Sequence, residues 1–336
     1  MRELMINRAE EGQRLDRFLG KYLPGAASGF LHKMLRKKNI KLNGGRAEGN
    51  EKIKEGDRIQ IYFSEETLEK FTAQNRPEKK TLRPLTKQQK ELREKVRLLA
   101  KTEDVLIFHK PAGMLTQKAK KEDDSLNDYL LDYCLKEGIL KASNSFRPSV
   151  ANRLDRNTSG IVLCGITVRG LQLLSRLLKE RNVEKYYLCL VWGEMSGDRH
   201  LKGWLCKNQR TNQVTLSPHQ TAGAALVETW YEVLEAGEGI SLLKVRLITG
   251  KSHQIRAHLS SVGHPILGDI KYGDPKVNQI FRKEGIRYQM LHSAQIHFPK
   301  KGEEIPKELK GRKIVDPAPE EFERILRKKG FKNIGT

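Results

Sequence analysis

What most constrains the fold is how strand-like apolar runs are spaced over residues 101–336. They fall at Asp104–Phe108, Gly160–Thr167, Tyr186–Trp192, Ala225–Leu234, Leu242–Ile248 and Leu291–Phe298. Helical patterns fall at Ser125–Gly138 and Arg169–Arg181. A parallel sheet needs a crossover, usually a helix, between successive strands. Here the strands are not separated by regular crossovers. The expected class is α+β with a mixed, largely antiparallel sheet, and not a doubly wound parallel one.

The remaining sequence divides in two. Residues 64–100 are polar, carry Pro77 and Pro84, and read as a linker with a short helix from Lys87 to Leu99. Residues 1–63 form a compact basic block, expected to be a small α/β domain. Leu15, Phe18, Leu19 and Tyr22 recur at helical spacing. Ser28 is placed to cap a second helix, with Phe30, Leu31, Met34 and Leu35 on one face. Lys33, Arg36, Lys37 and Lys38 lie opposite, with Lys41 just beyond. Asn43-Gly44 is a tight-turn signal, since both residues tolerate positive φ. Lys54–Asp57 is another turn, before the alternating strand Arg58–Phe63. At the other end, Phe322, Ile325 and Leu326 are spaced for a last helix that docks on the main domain.

Charge narrows the partners. Lysine and arginine number 63 against 41 acids, a net charge of +22. Fields of this sign attract phosphate backbones. No stretch approaches the ~20 apolar residues that span a bilayer. The first residues lack the apolar run of a secretory signal, so a cytoplasmic protein is expected. Cys134, Cys164, Cys189 and Cys206 form no Cys-x-x-Cys pair, which argues for reduced thiols and against a structural zinc site. Gly250-Lys251-Ser252 imitates the end of a phosphate-binding loop, but Val245 stands where its first glycine is required. His253 and His258 are five apart, so one helical face does not present both to a metal.

The informative segment is Asn152-Arg153-Leu154-Asp155-Arg156-Asn157-Thr158-Ser159-Gly160. One acid lies between two arginines, and nearby positive charge keeps a carboxylate ionised. A turn before the strand Ile161-Val162-Leu163 would hold it at a strand edge, which suits a nucleophile or a general base. By itself the segment reads equally as a turn aspartate bridging two arginines. Further signals are Glu184–Gly193, a strand opening with charge and aromatics; Leu247–Leu259, containing Gly250-Lys251-Ser252-His253-Gln254-Ile255-Arg256-Ala257-His258; Gly263–Asp269 with Lys271-Tyr272-Gly273; and Leu291-His292-Ser293.

Two resemblances follow. Arg14-Leu15-Asp16-Arg17-Phe18-Leu19, Lys41-Leu42-Asn43-Gly44 and Glu55-Gly56-Asp57-Arg58-Ile59 resemble the S4-like RNA-binding domain. This implies that the second helix lies on an RNA backbone, through Lys33, Arg36, Lys37 and Lys38 with Lys41 beside them. The alternative is a merely solvated basic face. From about Thr102 to Pro299, the Arg153–Gly160 segment and the Gly250–His258 run resemble the RluA-type RNA pseudouridine synthases. The resemblance implies isomerisation of uridine to pseudouridine without metal or cofactor, most simply in large-subunit ribosomal RNA. It implies Asp155 as the catalytic aspartate, as nucleophile or as base at the sugar, with Arg256 paired to it. Tyr187 would pack against the target base. A base that leaves its stack needs a side chain to fill the gap, and Arg153 is the candidate. Ile255 and Leu259 would line an apolar wall, and Lys185 would serve phosphate contact or strand packing. The family often has histidine where this chain has Asn152. The expected partner is structured RNA and the expected state a monomer, since no coiled-coil seam is visible. Two rival readings are a non-catalytic RNA-binding or assembly factor and, on the basic helix alone, a DNA-binding regulator.

Overall fold

A computed structural model describes residues 1–72, 84–140, 145–208 and 213–332. In the first stretch, β1 (Arg2–Met5) is followed by α1 (Leu15–Tyr22), α2 (Ser28–Arg36), β2 (Ile40–Leu42), β3 (Gly45–Arg46), β4 (Arg58–Ile61) and α3 (Glu65–Thr72). The strands form one sheet in the order β1-β4-β2-β3. Asn43 and Gly44 take φ of 51° and 76°, the positive pair that a two-residue hairpin turn requires. Leu15, Phe18 and Leu19 of α1 meet Leu31, Met34 and Leu35 of α2 and Ile59 and Ile61 of β4 in one core. Ala27 occupies the N-cap of α2 and Ser28 is its first residue, so the serine does not cap the helix as its identity suggests.

The described residues of the expected linker form secondary structure at both of its ends. Leu68 and Phe71 of α3 pack into the N-terminal core. Pro77 lies outside the described residues. The helix expected over Lys87–Leu99 ends at Glu94 as α4 (Lys87–Glu94), opened by a Thr86–Gln89 capping box. The next residues form β5 (Arg97–Lys101), paired antiparallel with β6 (Val105–Lys110). Ladder bonds to a neighbouring strand and the burial of Ala100 outweigh local helical spacing here. The boundary expected at residue 100 therefore falls inside a strand of the main sheet.

That sheet is completed by β7 (Ser149–Val150), β8 (Ser159–Gly165), β9 (Glu184–Trp192), β10 (Arg199–Asn208), β11 (Gln213–Ser217), β12 (Ala225–Gly237), β13 (Ile240–Leu247), β14 (Leu291–His297) and β15 (Lys313–Val315). Its main path is β11-β10-β12-β13-β9-β14-β8-β6-β5, with β15 on β14 and β7 on β8. β14 and β8 run parallel; the other ladders are antiparallel. The mixed, largely antiparallel α+β class is thus observed.

Why β6 and β8 are continuous apolar runs is clear from what covers them. Leu106, Phe108, Val162 and Cys164 enter one core, beneath α5 (Leu126–Lys136). The alternate residues Val105, Ile107, Ile161 and Leu163 enter another, beneath Leu173, Leu174 and Leu177 of α6 (Val168–Lys179). A strand covered on both faces has no polar side to alternate with. The remaining helices are α7 (Gln254–Ser261), α8 (Pro275–Lys283) and α9 (Glu320–Lys328). α9 buries Phe322, Ile325 and Leu326 against the main core, as its spacing suggested. Among the described residues, no helix is long and apolar enough to cross a membrane.

Candidate active site

The loop between β7 and β8 is pinned from both sides. Thr116 Oγ1 donates to the Leu154 carbonyl at 2.7 Å and accepts from the Leu154 N–H at 3.1 Å. The Asn152 side chain accepts from the Leu163 N–H at 2.7 Å and donates to the Ile161 carbonyl at 3.4 Å. Asn152 therefore stitches the loop to β8. Thr158 N–H closes a turn onto the Asp155 carbonyl at 3.1 Å. Gly160 follows with φ of 115°, and a Cβ there would lie 2.3 Å from the Ser293 carbonyl oxygen. Only glycine lets β8 approach β14 this closely.

The pinned loop presents Asp155 to Arg256, whose Nη1 donates to Asp155 Oδ2 at 2.8 Å. Arg256 does not serve Asp155 alone. Its Nε and Nη2 donate to Asp269 Oδ2 and Oδ1 at 2.6 and 2.8 Å. Asp269 is fully buried, and its Oδ1 also accepts from the N–H groups of Lys271 and Tyr272. Burial opposes the arginine's charge, but the bonds and charge of Asp269, then those of Asp155, outweigh it and raise the guanidinium's pKa. The guanidinium is also covered by the Tyr272 ring, 5.1 Å away. A rigid fork is thus fixed from behind and offers an Nη1 donor to a carboxylate that is 27% exposed.

The start of α7 is set by Gln254. Its amide donates to the Glu228 carbonyl and Thr229 Oγ1 and accepts from Thr249 Oγ1 and the Lys251 N–H, so the buried group is fully used. Tyr187, on β9, is buried, and burial pushes its hydroxyl up to about 12. Behind the loop, fully buried Lys110 donates to the carbonyls of Pro111, Met114 and Arg156 at 3.0, 2.8 and 3.1 Å. Burial pulls its pKa down to about 7. Three acceptors match the three donors of an ammonium, and they tie the β6–α5 turn to the Asp155 loop.

Asp155, Tyr187, Gln254 and Arg256 line a cavity of about 1010 Å³. Its wall holds Lys118, Arg153, Arg156, Lys179, Arg181, Lys185, Lys251, Arg256 and Lys271, and one acid, Asp155. A low-dielectric cleft with one sign of charge concentrates a polyanion. Asp155, Tyr187, Arg256, Arg153, Ile255 and Lys185 all meet there. Leu259 does not: it is fully buried in the main core, one helical turn beyond Ile255 and away from the cavity. Positions four apart share a helix face, but only the first turn of α7 reaches the opening. Burial lowers the pKa of Lys185, whose Nζ would lie 3.4 Å from a Cβ placed on Gly250. Lys33, Arg36, Lys37 and Lys38 are exposed along and just past α2, away from the cavity, and Lys41 lies on β2 with its Nζ 5.2 Å from the Tyr62 ring.

Asp269, Tyr272 and Lys110 belong to the site's framework although sequence reasoning assigned them no role. Asp269 and Tyr272 stand in the sequence motifs Gly263–Asp269 and Lys271-Tyr272-Gly273. Nothing local says that they turn back onto α7. His253 and His258 also separate: His258 Nδ1 meets Thr229 Oγ1 at 2.7 Å inside the protein, whereas His253 faces the cavity.

Comparison with known proteins agrees with this architecture. A family model described as RNA pseudouridylate synthase matches residues 104–261. The ribosomal large subunit pseudouridine synthase C of Vibrio vulnificus is 28% identical over 321 residues, covering 94% of this chain and 92% of that protein. The protein of the same name from Pasteurella multocida is 29% identical over 331 residues, covering 96% and 92%. Among solved structures, human RNA pseudouridylate synthase domain containing 4 superimposes with a TM-score of 0.59 at 22% identity, over 72% of this chain and 95% of that one. The last comparison speaks for the fold; the matched segment holds the Asp155 loop, Tyr187 and Arg256 together. Over most of its length, therefore, the chain is similar to RNA pseudouridine synthases.

Proposed function

We propose that this enzyme isomerises specific uridines of large-subunit ribosomal RNA, with Asp155 as its catalytic carboxylate. The reading as an RNA pseudouridine synthase is supported by the family model matched over residues 104–261 and by the similarity to enzymes of that name. The choice of large-subunit RNA is supported by the relatives' names. The observation that carries the site assignment is the Asp155–Arg256 pair at 2.8 Å in a cavity otherwise walled by basic side chains.

The reaction breaks the bond from C1′ of ribose to nitrogen 1 of uracil, turns the base, and joins C1′ to carbon 5, whose proton then leaves while nitrogen 1 takes one up. Product and substrate are isomers. Asp155 acts at the sugar, either attacking C1′ or removing a proton beside it. Arg256 pairs with the carboxylate and aims it. Tyr187 packs against the base, with Ile255 as apolar neighbour. Arg153, exposed at the cavity wall, takes the place of the extruded nucleotide, and Lys185 contacts phosphate. The unit built on the β1-β4-β2-β3 sheet is an S4-like RNA-binding domain, with Lys33, Arg36, Lys37, Lys38 and Lys41 on the RNA backbone. The unit from β5 onward is the catalytic domain. The enzyme works as a cytoplasmic monomer.

The test uses RNA tritiated at carbon 5 of uracil. The wild-type protein is expected to release tritium, and Asp155→Asn to abolish release while RNA binding survives. Full activity in that variant would remove Asp155 from the mechanism. Salt-sensitive binding without release by the wild type would favour a non-catalytic binder.

A further inference from the structure

A second group faces the carboxylate. His253 Nε2 lies 3.9 Å from Asp155 Oδ2, the oxygen that Arg256 already holds. On the far side of the ring, His253 Nδ1 lies 2.9 Å from Tyr272 Oη. That oxygen also accepts from the Val214 N–H at 2.8 Å. The phenol has one proton to give, and Nδ1 is its acceptor among the described residues. Every group is then satisfied in one way: Tyr272 O–H donates to Nδ1, and the neutral imidazole carries its own proton on Nε2, toward Asp155.

The pose is an imposed one. His253 has φ of 56°, left-handed backbone that is uncommon for any residue but glycine, immediately before α7. The ring stands edge-on to Tyr272 with centroids 5.6 Å apart, and the side chain is 13% exposed. Burial, more than any neighbour, lowers the pKa of the ring below the ordinary histidine value; Arg256 and Lys271 act in the same direction, Asp155 and Asp269 against it. Among the described residues, Asp155 Oδ1 accepts no side-chain hydrogen bond.

We propose that His253 is a positioning residue for Asp155: its Nε2–H and Arg256 Nη1 together hold Oδ2, leaving Oδ1 turned toward the uridine ribose. The inference rests on the pseudouridine synthase reading of the cavity. The gap is about 1 Å longer than a hydrogen bond, and contacts of this kind tighten when substrate fills a site.

Two substitutions separate this role from a structural one. His253→Gln places an amide N–H near the position of Nε2. His253→Asn reaches only the level of Nδ1, where it can still meet Tyr272. Asparagine tolerates left-handed backbone better than glutamine does, so folding favours the Asn variant and the proposed role favours the Gln variant. The measurement is single-turnover tritium release at saturating RNA, with RNA affinity measured separately. The expected result is that His253→Gln stays near the wild-type rate and His253→Asn falls about tenfold or more at unchanged affinity. Equal rates for the two, or a faster Asn variant, would overturn the proposal. Heteronuclear NMR of the histidine rings supplies a readout free of RNA. The wild type should show His253 in the Nε2–H form, and Tyr272→Phe should release it toward the other tautomer. An Nδ1–H ring in the wild type would also overturn it. Absence of tritium release from the wild type would instead defeat the pseudouridine synthase reading, and the tautomer measurement would then decide the His253 geometry by itself.

Discussion

Asp269→Asn is the substitution whose effect the structure specifies most sharply. The carboxylate is fully buried and accepts four hydrogen bonds, two from Arg256 and two from backbone N–H groups. An asparagine offers one acceptor oxygen and turns an NH2 toward a guanidinium that is itself only 5% exposed. Breaking one side of a buried ion pair costs about 3–5 kcal/mol, because the remaining charge stays desolvated. That is a large share of the ~5–15 kcal/mol by which folded proteins outweigh their unfolded chains. Asp155 stands differently, since it is 27% exposed and holds Arg256 through one bond. Asp155→Asn should therefore cost about 1 kcal/mol or less while removing activity. Denaturant unfolding of both variants, with tritium release measured below their unfolding midpoints, gives the contrast. Asp269→Asn should lose most of its stability margin and also its rate, because Arg256 is no longer held behind Asp155. The double change Asp269→Leu with Arg256→Met should recover stability without recovering activity. If Asp269→Asn shifted unfolding by less than about 1 kcal/mol, the idea that Asp269 fixes the guanidinium would fail.

Three further outcomes follow from other parts of the molecule. Replacing Lys33, Arg36 and Lys37 with alanine should weaken RNA binding and lower the slope of log affinity against log salt by about 2–3, since each lost phosphate contact removes about 0.7–0.9; an unchanged slope would leave the α2 face merely solvated. His292 is fully buried between Ser159 Oγ and the Asp316 carbonyl, and burial lowers its pKa to about 4 from 6.5. Between those values the unfolded chain binds a proton that the folded chain refuses, so stability declines as pH falls from 6.5 to about 4, by on the order of 3 kcal/mol. In His292→Gln, unfolding free energies measured across that window should show a flatter slope, and an identical slope would contradict the assignment. Gly160→Ala brings a Cβ to 2.3 Å from the Ser293 carbonyl oxygen at a φ of 115°, and should cost about 3 kcal/mol in thermal or denaturant unfolding.

The Asp155 loop, the Tyr187 strand and the Arg256 helix were legible in the chain because each is a local pattern: an acid among arginines before a turn, an apolar run after charge, a polar motif entering a helix. The same holds for the α+β class, which follows from strands without regular crossovers. The end of the helix after Lys87 was not legible, because Val96-Arg97-Leu98-Leu99 suits either period until β6 is there to pair with it. Nor was the withdrawal of Leu259 from the cavity, since helical spacing gives the face but not the depth.

Sequence by itself determined which chemistry is available: one carboxylate, one guanidinium, a basic surround, and glycine where backbones must meet. Tertiary structure decided what holds that chemistry in place. Asp269 behind Arg256, three carbonyls around Lys110, and Tyr272 against His253 join residues that share no local pattern. Hydrogen bonds of this kind depend on distances of a few tenths of an ångström between separate loops. Those distances are set when the sheet's register and the packing of α7 against β11 and β12 are complete, not by any one stretch of chain.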